Sequence, residues 1–110
     1  MPKKLRERLR AFFKRSKTHH SVIVEEMPGN LKPGILYIFD NAGYHWQMVM
    51  LCPCGCGDVL FINLVDTHNP YWKYYLDNRS RITLRPSLHR KDRCRSHFFI
   101  TKNKINWCNY

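Results

Sequence analysis

LCPCGCGD, residues 51–58, places Cys52, Cys54 and Cys56 within five positions, with Gly55 and Gly57 alternating among them. Cysteines this crowded make a poor disulfide framework, because bridged residues need Cα separations that neighbours two apart reach only with strain. The chain has five cysteines, an odd number. A reduced, cytoplasmic setting is therefore expected, where clustered thiols usually bind metal. The glycines supply backbone geometry that residues with a Cβ resist, so the stretch reads as the tip of a β-hairpin.

The sequence on either side agrees. YHWQMVMLC (44–52) alternates, with His45, Gln47 and Val49 set against Trp46, Met48 and Met50, and DVLFINLV (58–65) follows as its partner strand. Upstream, SVIVEEM (21–27) and ILYIFD (35–40) read as strands separated by the turn-rich PGNLKPG. Downstream, the "DN" of residues 77–78 suggests a turn between YWKYYL (71–76) and RITLRPSL (81–88), and SHFFI and INWC flank the polar turn TKNK. The expected fold is mainly β, a small single domain of antiparallel hairpins closed by a Cys/His metal site.

A different texture precedes it. Residues 1–20 hold eight Lys/Arg against one acidic residue, Glu7, so +7 of the net charge of +11 lies there. PKKLRERLRAFFKRSK reads as a basic amphipathic helix or tail, with Leu5, Leu9, Phe12 and Phe13 near helical spacing. The expected organisation is a basic N-terminal segment over 1–20 and a metal-binding β domain over 21–110. The segment could meet nucleic acid or an acidic surface. No run of about 18 apolar residues exists to span a membrane, and no long apolar stretch follows the basic start, which argues against secretion.

A second donor group lies far along the chain, in CRSH, where Cys94 and His97 form a C-x2-H pair. Thiolates bind zinc at about 2.3 Å and imidazole completes such sites. Five donors are available, Cys52, Cys54, Cys56, Cys94 and His97, and tetrahedral zinc takes four. Cys54, Cys56 and Cys94 rank first, with His97 and Cys52 competing for the last place. An iron–sulfur cluster needs the same donors and stands as an alternative; its Rieske type requires two histidines, in C-x-H and C-x2-H pairs, whereas the first group here offers only cysteine. So many strong donors point to a closed, structural zinc rather than a catalytic one with an open position. Asp66 and His68 are candidate neighbours of the site, and Cys108 reads as a free thiol or packed side chain rather than a nucleophile.

Taken together, CPCGCG, ITLRPSL, CRSHFFI and the terminal INW resemble the DUF6527 family of small bacterial proteins, over roughly residues 22–107. By that likeness Cys52, Cys54, Cys56, Cys94 and His97 match the family's cysteine cluster and Cys-x-Ser-His motif, and Pro86 and Ser87 match its Pro-Ser pair. Two departures are visible: HRKD (89–92) replaces a Gly-Asn continuation, and Asn103 and Lys104 stand where the last hairpin usually carries glycine. The resemblance implies association with prokaryotic ubiquitin-like conjugation systems, and so an accessory or adaptor role with a protein partner. Two other functions are carried beside it. A nucleic-acid-binding zinc module would use the cationic segment and the aromatics Trp72, Tyr74 and Tyr75. A hydrolase would act on an amide or thioester through an accessible zinc or Cys108.

Overall fold

Alternation of apolar and polar residues, interrupted by Gly, Pro and Asn, gives eight strands in the computed structural model, which describes residues 18–108. They are β1 (His20–Val24), β2 (Ile35–Asn41), β3 (Tyr44–Leu51), β4 (Val59–Asn63), β5 (Lys73–Leu76), β6 (Ile82–His89), β7 (His97–Thr101) and β8 (Lys104–Trp107). No helix forms among the described residues. Of residues 71–76, expected as a strand, Lys73–Leu76 form β5. The basic amphipathic helix or tail expected over residues 1–20 lies, up to residue 17, outside the described residues.

Two four-stranded sheets form, in the orders β1-β2-β3-β4 and β5-β6-β7-β8. Every neighbouring pair is antiparallel except β1 and β2, which run parallel with His20 opposite Ile35 and Val24 opposite Phe39. The turn-rich loop between them carries the chain back across the sheet edge instead of closing a hairpin. The DN turn joins β5 to β6 as expected, with Asp77 Oδ1 accepting from the amides of Arg79 and Arg81.

The sheets stack face to face, as antiparallel sheets with one apolar face do. Leu36 and Ile38 of β2, Met48 and Met50 of β3, and Leu60 and Ile62 of β4 meet Ile82, Leu84 and Leu88 of β6, Phe98 and Ile100 of β7, and Ile105 of β8. On the outer face of the first sheet, Tyr37, Phe39 and Val49 form a second cluster under Leu31, Ile35 and Trp46. Trp72 and Tyr74 pack against the main core, so of the three aromatics that could stack on bases Tyr75 alone is exposed.

Asn103 ties the sheets together at one end. Lys102 and Asn103 both have positive φ, 47° and 65°, as a two-residue primed hairpin turn requires. Asparagine tolerates that region better than most residues, and here its side chain adds what glycine lacks. Oδ1 accepts from the Ile82 amide at 2.7 Å and Nδ2 donates to Ser21 Oγ of β1 at 3.1 Å. The departure from a glycine at this turn is thus a cross-sheet anchor.

Phe98 is fully buried between the sheets, whereas Phe61 on edge strand β4 is 62 % exposed. Phe98→Ala is expected to lower unfolding free energy by about 3–5 kcal/mol. Phe61→Ser should change it by no more than about 0.5 kcal/mol. Urea denaturation of both variants checks this.

Candidate functional site

The β3–β4 hairpin closes through Cys52, whose amide donates to the Asp58 carbonyl at 2.8 Å and whose carbonyl accepts from Gly55 N–H at 3.1 Å. Gly55 and Gly57 both sit at φ +88°, which turns the backbone tightly enough to fan the three cysteines around one point. Cys94 comes from the turn between β6 and β7. That turn is closed by Arg90 N–H to the Ser96 carbonyl and by Arg95 N–H to the Arg90 carbonyl, with Arg95 itself left-handed at φ 62°.

These two tips bring the sulfurs of Cys52, Cys54, Cys56 and Cys94 within 4.8 Å of one another. Cys52 Sγ lies 3.4 Å from Cys54 Sγ and 3.6 Å from Cys94 Sγ. Zinc–sulfur bonds of about 2.3 Å in a tetrahedron put sulfurs about 3.8 Å apart, so the spacing fits a four-thiolate ion. All four are free thiols. The group could hold a metal ion, and its chemistry is consistent with zinc.

The surroundings divide the four thiols. Burial pushes Cys52 up to about 12. Burial also opposes ionisation of Cys94, but the Ser96 hydroxyl and amide, together with Cys54 and Cys52, outweigh it and bring Cys94 down to about 6. Ser96 Oγ stands 3.1 Å from Cys94 Sγ. Arg90 Nη1 reaches Cys94 Sγ at 3.6 Å, Cys56 Sγ at 3.7 Å and Asp58 Oδ2 at 3.2 Å. A divalent ion in four thiolates keeps about two negative charges, and Arg90 is placed to offset part of them.

His97 is not a member of this group. It opens β7, directly opposite His89 of β6, and its Nε2 lies 2.7 Å from Ser87 Oγ. The two imidazoles stack with centroids 4.1 Å apart and planes 7° from parallel. His89 is held below its ordinary value, by partial desolvation first and then by the charges of His97 and Lys91. The approach depends on a bulge. Between the pairs Leu84–Ile100 and Leu88–Phe98 the chain advances four residues along β6 but two along β7. Leu84 and Leu88 both stay in the core, and Ser87 is lifted onto the half-exposed outer face beside His97. Trp72 Nε1 steadies the bulge by donating to the Ser87 carbonyl at 3.3 Å.

Asp66 and His68 lie in the loop after β4. Asp66 lines an aromatic cavity with Tyr44 and Tyr74, while His68 Nδ1 is 3.0 Å from Thr67 Oγ1. Neither belongs to the cysteine group. Cys108 N–H donates to the His97 carbonyl at 2.9 Å, just beyond β8. The residue that sequence reasoning passed over is Ser87. Its signal was present, since the Pro-Ser and Cys-x-Ser-His motifs set a serine and a histidine in two segments of the same resemblance.

A β-sandwich bearing a four-cysteine cluster and a serine–histidine pair on one hairpin is the class of protein these residues define. The family model described as "Bacterial ubiquitination-like system serine protease (BubE)" matches residues 23–108, and the chain belongs to that family. The expected tie to a ubiquitin-like system is thus met, under the BubE description rather than the DUF6527 one. Neither the curated proteins nor the solved structures compared offer a match. Among the described residues no helix is long and apolar enough to cross a membrane.

If the four sulfurs take up an ion, loading with metal should slow alkylation of Cys54, Cys56 and Cys94 by about tenfold or more. Cys108, outside the group, should react at the same rate. Mass spectrometry after timed iodoacetamide treatment reads both.

Proposed function

We propose that the chain is a serine protease of a bacterial ubiquitination-like system, with Ser87 as nucleophile, His97 as general base, and a structural zinc held by Cys52, Cys54, Cys56 and Cys94. The observation that carries this reading is the 2.7 Å contact between Ser87 Oγ and His97 Nε2 on an accessible sheet face. A nucleophile within hydrogen-bond reach of a base is the minimum that acyl transfer requires. The family description supports it independently. The Pro-Ser and Cys-x-Ser-His motifs behind the DUF6527 resemblance are the same residues that build the pair.

In this mechanism Ser87 Oγ attacks the substrate carbonyl carbon while His97 Nε2 takes the hydroxyl proton. The tetrahedral adduct collapses as the bond to the leaving nitrogen, sulfur or oxygen breaks, and His97 gives that atom the proton. Water then attacks the acyl-serine, passing a proton to His97 as Ser87 Oγ is released and reprotonated. His89, stacked flat on His97, limits rotation of the ring and keeps Nε2 aimed at Oγ. Zinc, when bound, supplies a cross-link between the β3–β4 tip and the β6–β7 turn. Cys52, Cys54, Cys56 and Cys94 would hold it as four thiolates, a donor set that favours a closed structural role over a hydrolytic one. His97 is thereby assigned to the serine and not to the metal. Protein partners follow from a ubiquitin-like system, whose carriers and conjugates are themselves proteins.

A fluorophosphonate probe is expected to modify Ser87, and Ser87→Ala and His97→Ala should each lower ester hydrolysis by about 10³-fold or more. Both variants should keep the wild-type melting temperature to within a few degrees. An unmodified Ser87 in folded protein, or full activity in Ser87→Ala, would return the accessory or adaptor role expected from the sequence.

Elemental analysis should find one zinc per chain. Cys94→Ala should lose the metal, melt at lower temperature and lose fluorophosphonate labelling together, because the turn that bears Cys94 also sets His97. A Cys94→Ala protein that is metal-free yet labels Ser87 at the wild-type rate would separate the two sites.

A further inference from the structure

On the outer face of the second sheet, on the side of Ser87 away from the cysteine cluster, lies an open cleft of about 550 Å³ lined by Tyr71, Lys73, Arg85, Pro86 and Phe99. Its placement follows from the pairing of β5, β6 and β7 and from the bulge that carries Ser87. Phe99 is two residues beyond His97 on the same face of β7, Arg85 is two before Ser87 on β6, and Lys73 of β5 pairs with Arg85. Pro86 immediately precedes Ser87. Residues two apart on a regular strand, as His97 and Phe99 are on β7, are separated by about 6.6–6.8 Å, the same distance that two residues of an extended substrate span. A chain whose scissile carbonyl sits at Ser87 therefore lays a side chain within two residues of that bond over the cleft.

The chemistry of the lining is mixed in a definite way. The floor is apolar, made by Phe99, Pro86 and the ring of Tyr71. The rim is cationic. The Arg85 guanidinium stacks 5.3 Å from the Phe99 ring centroid. Nη1 donates to the Leu84 and Ile100 carbonyls and Nη2 to Thr101 Oγ1. Those three bonds fix the group and leave about two of its five N–H donors uncommitted. No carboxylate among the described residues pairs with either Arg85 or Lys73.

We propose that this cleft is the specificity subsite beside Ser87, and that it takes an apolar side chain of the substrate with a carboxylate next to it. The proposal rests on Ser87 being the nucleophile. The apolar floor removes the side chain from water, and the fixed Arg85 with the exposed Lys73 receives the carboxylate. The carboxylate belongs either to an Asp or Glu side chain or to a chain terminus, and both present the same group to the rim.

The test incubates the whole chain with two randomised peptide libraries and reads cleavage sites by mass spectrometry. One library is acetylated and amidated, so that Asp and Glu provide its carboxylates. The other lacks Asp and Glu and ends in a free carboxylate. A fluorophosphonate reports Ser87 reactivity in the same preparation. Cleavage should be enriched about tenfold or more at bonds with an apolar residue next to a carboxylate within two positions, over bonds where Lys or Arg replaces the acid. The library that shows the enrichment identifies the source. Lys73→Glu, at an exposed position that spares the fold, should abolish or invert the preference while Ser87 still labels. Ser87 that labels normally but cleaves without preference, cleaves no peptide, or keeps its preference in Lys73→Glu overturns the subsite alone. Ser87 that does not label overturns the nucleophile reading, and the subsite with it.

Discussion

Four sulfur atoms from two separate hairpins must share a space less than 5 Å across, and the arrangement of everything around Ser87 follows from that convergence. Three of them ride on one hairpin tip and the fourth on the turn between β6 and β7. Thiols and thiolates at such distances gain little from one another, and the four are not equivalent. Cys52 is pushed up to about 12 by burial, while Cys94 is brought down to about 6 against its own burial. A cation held among them would resolve the conflict, because it would take every sulfur as thiolate and turn crowding into a cross-link. The Arg90–Asp58 bridge at 3.2 Å joins the same two tips and stands beside the sulfurs, so the charge left on the cluster has a partner.

The turn so fixed is the one that joins the strands bearing Ser87 and His97. Its closing hydrogen bond, Arg90 N–H to the Ser96 carbonyl, sets the register that puts His89 opposite His97. One step further along β6, the bulge moves Ser87 out of the ladder and onto the sheet face. A regular antiparallel pair would have spent the Ser87 segment on strand pairing. The bulge instead leaves a hydroxyl on a half-exposed surface with the His97 imidazole already in contact, and bulges are common beside functional sites. The β6–β7 hairpin thus carries both the serine–histidine pair and, at its turn, the one cysteine that joins the three of the β3–β4 tip.

The small size of the domain makes this arrangement intelligible. Two stacked sheets of fewer than 100 residues bury a modest core, and domains of this size often draw on a metal for stability. Here the four cysteines and the Arg90–Asp58 bridge lie at one end of the sandwich, and Asn103 joins β6 to β1 through Ile82 and Ser21. Between these attachments the outer face of the second sheet carries Ser87, His97 and the cleft lined by Tyr71, Lys73, Arg85, Pro86 and Phe99.

Much of the fold was legible in the residues themselves. Period-two alternation marked β3 and β4, and paired turn residues located the β5–β6 and β7–β8 hairpins. The spacing of CPCGCG announced a hairpin tip with clustered thiols that could hold a metal ion. Such features are local: they depend on backbone preference and on which face of one strand is apolar. The parallel course of β1 was not legible, because strand direction is set by where a loop crosses and not by composition. Nor was the division between Cys52 and His97. Both carry good donor atoms, and only the register of β6 against β7, offset by the bulge, turns the imidazole of His97 toward Ser87 while the sulfur of Cys52 joins Cys94. The sequence by itself determined a β domain with a cysteine cluster. The pairing of a serine with a histidine ten residues away was decided by tertiary structure, because a bulge moves side chains between faces in a way no periodicity records.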